Sequence, residues 1–557
     1  MFKPKLLTTL KGYSLELFIS DFIAGVIVGI VALPLAIAFA IASGVRPEQG
    51  LYTAIVAGFL ISALGGSRVQ VGGPTGAFVV IVYGIIQQYG MDGLVIATIL
   101  AGIILIVMGI GKFGSAIKFI PHPLVVGFTS GIAVIIFSSQ IKDFLGLQMG
   151  PVPPEFIEKW IAYFKYFPTI NYNETAIGLL ALLILIAWPK ITHKIPGSLI
   201  AIIVTTSLVI IFNIPVQTIG SRFGHISSSL PHPVMPHLDF AMAKNLFKPA
   251  FIIALLAGIE SLLSAVVADG MIGGRHRSNM ELVAQGVANI ASPIFGGIPA
   301  TGAIARTATN IKNGGRTPVA GIIHAIVLLL IMLIFGKLAE LIPMATLASI
   351  LIIVSYNMSE WRSFKALFRS PKSDIAILLT TFFLTVIIDL TVAIQVGLLL
   401  SVFLFMRRMA LVTNVEIITK EFEDEEGEDS EIGMLGSKIP KGVEIYEING
   451  PFFFGSAFKF KEAMLTVEKA PKVRIIRMRK VPALDATGIH TIEEVYKECK
   501  RYGIAFILSG VQSQPMGALD KAGLIEKIGR QNIYDNFEES MIRAQEILTL
   551  FNQKLYN

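Results

Sequence analysis

Residues 72–78 read GGPTGAF and residues 297–304 read GIPATGAI, two nearly repeated runs more than two hundred positions apart. Each combines proline with glycines, the residues that break helices, inside a stretch otherwise apolar enough to cross a bilayer. Non-helical backbone at membrane depth must be buried in protein or line a wet cavity. Interrupted segments in corresponding places of two halves of a chain therefore point to a substrate site near the bilayer midplane.

The repeat extends outward from these runs. Ala24 and Gly25 face Ala257 and Gly258, and Gly65 and Gly66 face Gly296 and Gly297, at nearly the same spacing in both halves. The surroundings fit a membrane protein with many spans. Of 557 residues 54% are hydrophobic and only 15% charged, and the mean hydropathy is +0.70. Apolar stretches of spanning length fill residues 18–411, enough for roughly 12 to 14 spans. Lys3, Lys5 and Lys11 precede the first of these and Arg407 and Arg408 end the last, which predicts both termini in the cytoplasm. No cleavable signal peptide is expected, because the first apolar run continues past Ala40 without a cleavage site. The net charge of +7 belongs to cytoplasmic loops on this reading, and no nucleic acid is expected as a partner.

Beyond residue 411 the character changes. Residues 412–439 read as an acidic linker around EFEDEEGEDSE. Residues 440–557 alternate strand-length runs (VEIYEI, VRIIRM, IAFILSGV) with helical patterns such as HTIEEVYKECKRYG, the mark of an α/β domain. A single cysteine, Cys499, excludes an intramolecular disulfide and any cysteine-based zinc site. No cofactor, metal or catalytic residue is expected: no nucleophile and base pair appears, and the glycine-rich GMIGGRHRSN lacks the Lys-Ser/Thr of a phosphate loop.

The chemistry follows from helix ends. A helix that begins in mid-membrane at Pro74 or Pro299 leaves its first N–H groups unpaired and carries the positive end of the helix dipole. Two such starts facing each other make an anion site without a large fixed charge; the alternative is a pair of kinks that only aid packing. Arg306, one turn beyond Gly302, adds positive potential, unless it snorkels or pairs structurally. Glu260, read as lying one turn into an apolar helix, is the candidate for a proton, or for sodium together with Ser264; the alternative is a structural partner of Arg306. Asp269 and Asp389 read as carboxylates satisfied at interfaces, and His276 as a loop histidine.

Five passages carry a resemblance to a known family: GLYTAIVAGFLISALGGSRVQVGGPTGAF, IPHPLVVGFTSGIAVIIFSSQI, MELVAQGVANIASPIFGGIPATGAIARTATN, and, in the tail, NGPFFFGSAFKFKEA and LDATGI. The chain resembles the sulfate permease group, also called solute carrier family 26, and within it a bacterial branch that includes C4-dicarboxylate transporters. The resemblance implies a polytopic α-helical fold of fourteen spans in two inverted seven-helix repeats, with a core moving against a gate. It also implies a C-terminal domain of the sulfate transporter and anti-sigma antagonist (STAS) type, and a homodimer in the inner (plasma) membrane in contact with membrane lipid.

Carried over residue by residue, the substrate-binding positions are Gly73, Pro74, Thr75, Gly76, Ala77 and Phe78, with Thr301, Gly302, Ala303, Ile304, Ala305 and Arg306. Ala305 stands where many members place a serine, so a hydroxyl ligand is missing there. Glu260 falls on an acidic position that resembles a cation or proton site. Thr487 in LDATGI falls where anti-sigma antagonists carry a modified hydroxyl; the alternative is a helix cap. The expected function is secondary active transport of sulfate or a related small inorganic or organic anion, coupled to protons. The alternatives are sodium-coupled bicarbonate symport, an anion channel, or a membrane sensor acting on a cytoplasmic partner of the tail.

Overall fold

In the computed structural model the described residues are 2–556 apart from 116–119, 193–194, 226–228, 234–239, 389, 419–438 and 466–470. Asp389 and most of the expected acidic linker thus lie outside them. The chain divides into two units, Met1–Ser401 and Val402–Asn557.

In the first unit a short α1 (Lys5–Thr9) leads to α2 (Leu15–Ala42), capped by Ser14, whose hydroxyl accepts from the N–H of Leu17. Then come α3 (Pro47–Leu64), the two-residue strand β1 (Gly72–Gly73) and α4 (Gly76–Ile110). Gly90, at φ 68°, bends α4 into two segments, a conformation open to glycine at little cost. Next are α5 (His122–Leu145), α6 (Phe156–Tyr166), α7 (Tyr172–Ile191), α8 (Gly197–Ile211) and α9 (Ile219–Phe223). The second half repeats the plan. It runs through α10 (Phe240–Ile272), α11 (Ser278–Ile294), strand β2 (Thr301–Gly302), α12 (Ile304–Lys312) and α13 (Pro318–Ala339). It closes with α14 (Met344–Met358), α15 (Trp361–Leu367), α16 (Lys372–Ile387) and α17 (Leu390–Val412). Among the described residues seven helices are long and apolar enough to cross a bilayer unaided.

The order helix, Gly-Gly, strand, helix occurs twice, as α3–β1–α4 and as α11–β2–α12. Gly65 caps α3, and Gly296 turns the chain after α11 at φ 75°. The helices sort into two packed groups. In one, α4 packs on α10 and α11, while α13 packs on α2 and α3; in the other, α5 packs on α14 and α16, and α7 on α8 and α14. Each group therefore mixes helices of both halves.

The second unit is built on a five-stranded sheet, in the order β3 (Asn414–Ile418), β4 (Val443–Asn449), β5 (Val473–Lys480), β6 (Ala505–Ser509), β7 (Ile533–Tyr534). β3 pairs antiparallel with β4 and the remaining neighbours pair parallel, so the first strand of this sheet comes from the stretch read as linker. β5 carries a buried ion pair. Arg474 donates to Glu444 on β4 at 3.1 Å and stands over the Tyr446 ring, 5.6 Å from its centroid. Cys499 is fully buried beside it, and burial pushes its thiol up to about 11 although Arg474 pulls it down.

Two predictions concern this unit. Cys499 is fully buried and burial holds its thiol protonated, so maleimide labelling of the native protein should be slow and should speed up when urea opens the sheet. Glu444→Ala strands the Arg474 guanidinium and should lower the urea midpoint for Cys499 labelling, a loss of about 3–5 kcal/mol; an unmoved midpoint would remove the ion pair from the stability of the sheet.

Candidate functional site

The two short strands meet. β1 and β2 pair antiparallel, Gly72 opposite Gly302 and Gly73 opposite Thr301, and the N–H of Ala303 donates to the carbonyl of Val71 at 2.9 Å. The pairing sets the start of α4 beside the start of α12, one from each half. The helices do not begin at the prolines. α4 begins at Gly76 with Thr75 at its N-cap, and α12 at Ile304 with Ala303 at its N-cap. Pro74 and Pro299 instead lie in the extended approach to each helix, where their lack of an N–H suits backbone that pairs only through short segments.

Neither N-cap side chain closes its helix. Among the described residues the N–H groups of Gly76, Ala77, Ile304, Ala305 and Arg306 have no hydrogen-bond partner. Ile304 and Ala305 are exposed, Thr75 and Glu260 are half-buried, and Gly76 and Ala77 are buried, so the protein leaves the start of α12 uncovered and covers that of α4. Donors of this kind beside two positive helix ends suit a small anion.

Arg306 lies behind them, 2% exposed. Its Nη2 donates to the carbonyl of Pro74 at 3.1 Å, tying the second helix to the approach of the first, while Nη1 has no partner. Arg306 neither snorkels nor pairs with Glu260, and no ion pair joins them among the described residues. Gly73 is needed for this approach: its φ is 151°, and a Cβ there would collide with Nη1 of Arg306.

Glu260 sits in the middle of α10, not one turn into a helix, because α10 begins at Phe240. Its Oε2 accepts from the Thr75 hydroxyl at 3.0 Å. The carboxylate is therefore joined through one hydroxyl to the N-cap of α4. Ser264, one turn further, donates to the Thr307 hydroxyl at 3.2 Å, and the same oxygen accepts from the N–H of Val71 at 3.1 Å. Ser264 thus links α10 to α12 and to the β1 approach and shares no hydrogen bond with Glu260. Thr301 also reaches α10, donating to the carbonyl of Ala257 at 2.9 Å. Phe78, 1% exposed, packs inside the core rather than toward the open side.

A polar scaffold that the sequence reading did not single out holds this arrangement. Glu281, on α11 and fully buried, accepts from the N–H groups of Gly66 and Ser67 at 2.8 and 3.0 Å. It also accepts from Ser261 at 3.2 Å and Gln285 at 3.0 Å. Gln70, in the β1 approach, donates to Ser261 at 2.9 Å, and its amide fills the space where a Cβ on Gly302 would fall. Asn289 grips the second approach through the carbonyl and the N–H of Ala300. Glu281, Gln285 and Asn289 recur every four residues, a polar stripe along one face of a membrane helix that is readable in the sequence.

Outside the site, Asp269 accepts from the backbone N–H and Nδ1 of His276, both at 2.7 Å, so His276 does more than fill a loop. In the second unit Asp485, not Thr487, caps the helix Ala486–Tyr502, accepting from the N–H of Gly488 at 2.8 Å. Thr487 is exposed at the second position of that helix.

Comparison with known proteins fits this geometry. Residues 18–381 match the sulfate permease family and residues 437–540 match the STAS domain. The chain is 44% identical over 532 residues to "Putative sulfate transporter YvdB" of Bacillus subtilis (strain 168), covering 95% of this chain and 98% of that one. It is 28% identical to bicarbonate transporter BicA of Picosynechococcus, with 94% of each chain covered. Murine Slc26a9, an anion transporter solved in the inward-facing state, has the same fold at a TM-score of 0.86 and 19% identity, over 97% of this chain and 94% of that one. A multi-pass helical membrane unit with paired helix starts, followed by a STAS domain, is the organisation of an anion transporter, and the chain belongs to the sulfate permease family.

Proposed function

We propose that the protein is a secondary active transporter that takes up sulfate, or a related anion, together with protons. The observation that carries this reading is the β1–β2 pairing, which brings together two helix starts with five unpaired N–H groups, with Arg306 behind them. The anion would bind there, its charge spread over the donors of two helices, and Arg306 would raise the potential without needing to touch it. Glu260 would carry the coupling proton. Its hydrogen bond to Thr75 supports that role, since the charge on the carboxylate acts directly on the cap of a helix that faces the anion. Alternating access would follow from motion of one packed helix group against the other, with both termini in the cytoplasm.

The 28% identity to a bicarbonate transporter supports bicarbonate as the anion of a second reading, in which sodium replaces the proton as coupling ion. In the tail, exposed Thr487 is the candidate for phosphorylation, and a phosphate near a helix N-terminus would be tolerated there.

Purified protein in liposomes separates these readings. With sulfate, bicarbonate and fumarate offered in turn, accumulation of sulfate only under an inward proton gradient is expected; accumulation of bicarbonate only under sodium would replace the first reading with the second. Glu260→Gln should abolish the response to the proton gradient while anion binding persists, and an unchanged response would remove Glu260 from coupling. Arg306→Ala should weaken anion affinity about tenfold, since it removes a nearby positive charge and the tie to the Pro74 carbonyl. Gly73→Ala forces a Cβ onto Arg306 and should abolish uptake, with about 1–3 kcal/mol of backbone strain read as a lower melting temperature.

A further inference from the structure

The helix α6 joins α5 to α7 and is amphipathic in an unusual sense. Ile157, Ile161 and Phe164 are 60%, 63% and 74% exposed, while Lys159 and Tyr163, on the opposite face, are 5% and 3% exposed. A helix that turns its lysine inward and its isoleucines outward lies with its apolar side toward lipid. It is fixed on α5 by Tyr163, which donates to the carbonyl of Ser138 at 2.8 Å, and by Trp160, whose indole N–H donates to the Ser138 hydroxyl at 3.3 Å.

Lys159 lines a cavity of about 270 Å³ that also takes Lys142, Asp143 and Arg222 into its wall. The single carboxylate is already used: Arg222 pairs with Asp143 at 2.8 Å. Lys142 donates to the carbonyl of Gly150 at 3.0 Å. Among the described residues the Lys159 ammonium has neither a hydrogen bond nor an ion pair. Burial pulls it down to about 8, as expected of a cation without a counter-ion. The wall is firm, with Tyr83 donating to the carbonyl of Val152 at 3.2 Å within a proline-rich segment.

We propose that this cavity is a second site for a small oxyanion such as sulfate, held by the Lys159 ammonium, with Lys142 and Arg222 elsewhere in its wall. It is separate from the paired helix starts. Ile136, which lines the cavity, also packs against Gly76 together with Phe39 and Met358, so one apolar layer divides the two places. Three cations around one engaged carboxylate give the cavity the sign an anion needs, and its volume leaves room for a few waters around the ligand. The proposal stands on the cavity alone and does not require that the paired helix starts bind the same anion.

The test uses the full-length protein in lipid nanodiscs, with lysine acetylation followed residue by residue by mass spectrometry while sulfate is titrated. Acetylation of Lys159 should slow at least about tenfold at saturating sulfate, whereas exposed Lys165 on the same helix should not change. Equal rates with and without sulfate in zwitterionic discs would overturn the proposal. So would protection that appears only when phosphatidylglycerol is added and ignores sulfate, since the phosphate of a lipid headgroup would then be the ligand. A second measurement separates the two sites. With Trp188→Phe and Trp361→Phe leaving Trp160 as the reporter, sulfate should shift its fluorescence; the shift should vanish in Lys159→Met and survive in Arg306→Ala. Survival in the first and loss in the second would assign the signal to the paired helix starts and refute the cavity.

Discussion

Four residues in two facing pairs, Gly72 with Gly302 and Gly73 with Thr301, make the organisation of the membrane unit possible. Backbone that leaves a helix inside a bilayer must find hydrogen bonds within the protein, because lipid offers none. A one-sided break would leave that need unmet. Two breaks brought edge to edge pair with each other across the short strands, while the donors at the helix starts beyond them are left unpaired. The price in packing is that both strands must come close to their surroundings, which is why Gln70 and Arg306 occupy the space that side chains at Gly302 and Gly73 would need.

The second requirement is that the approaches to the breaks be rigid. Glu281 meets it by accepting four hydrogen bonds at once, two from the backbone after Gly65 and two from side chains. A buried carboxylate is costly unless it is so surrounded, and removal of any partner leaves part of that cost uncompensated. Asp21 does the same at another junction. It accepts from the N–H groups of Arg316 and Thr317 at 2.7 and 3.2 Å and from the hydroxyls of Tyr13 and Thr317. In both places a carboxylate from one half holds backbone from the other.

Much of this was readable from the sequence, because it depends on residue types with strong local preferences. The duplicated Pro/Gly runs announced the breaks, the apolar stretches announced the spans, and the shortened hydrophobic runs after residue 440 announced the sheet. What stayed hidden depends on neighbours distant in sequence. The prolines mark where the helical pattern fails, but the strand pair, formed with residues about 230 positions away, sets the helix starts two to five residues later. Glu260 lies deeper along α10 than its apolar surroundings suggest, because the helix begins at Phe240 and continues through Pro249. Ser264 looked like a ligand companion of Glu260 by spacing, yet Thr307 claims its hydroxyl. The stripe Glu281, Gln285, Asn289 is legible at four-residue spacing, but its partners Gly66 and Ser67 lie more than two hundred positions away.

The interlocking of the two halves has a consequence for how the chain is made. Glu281 emerges from the ribosome 215 residues after Gly66, and Thr317 emerges 296 residues after Asp21. At about 5–20 residues per second, the turn after α3 waits about 10 to 40 s for its carboxylate. During that interval the first half has its helices but not the partners of its buried polar groups, and β1 has no strand to pair with. A nascent chain in this condition needs either water or a protein surface within the bilayer to shelter those groups. The first half of this transporter is thus a client for assistance at insertion, and the second half is what releases it.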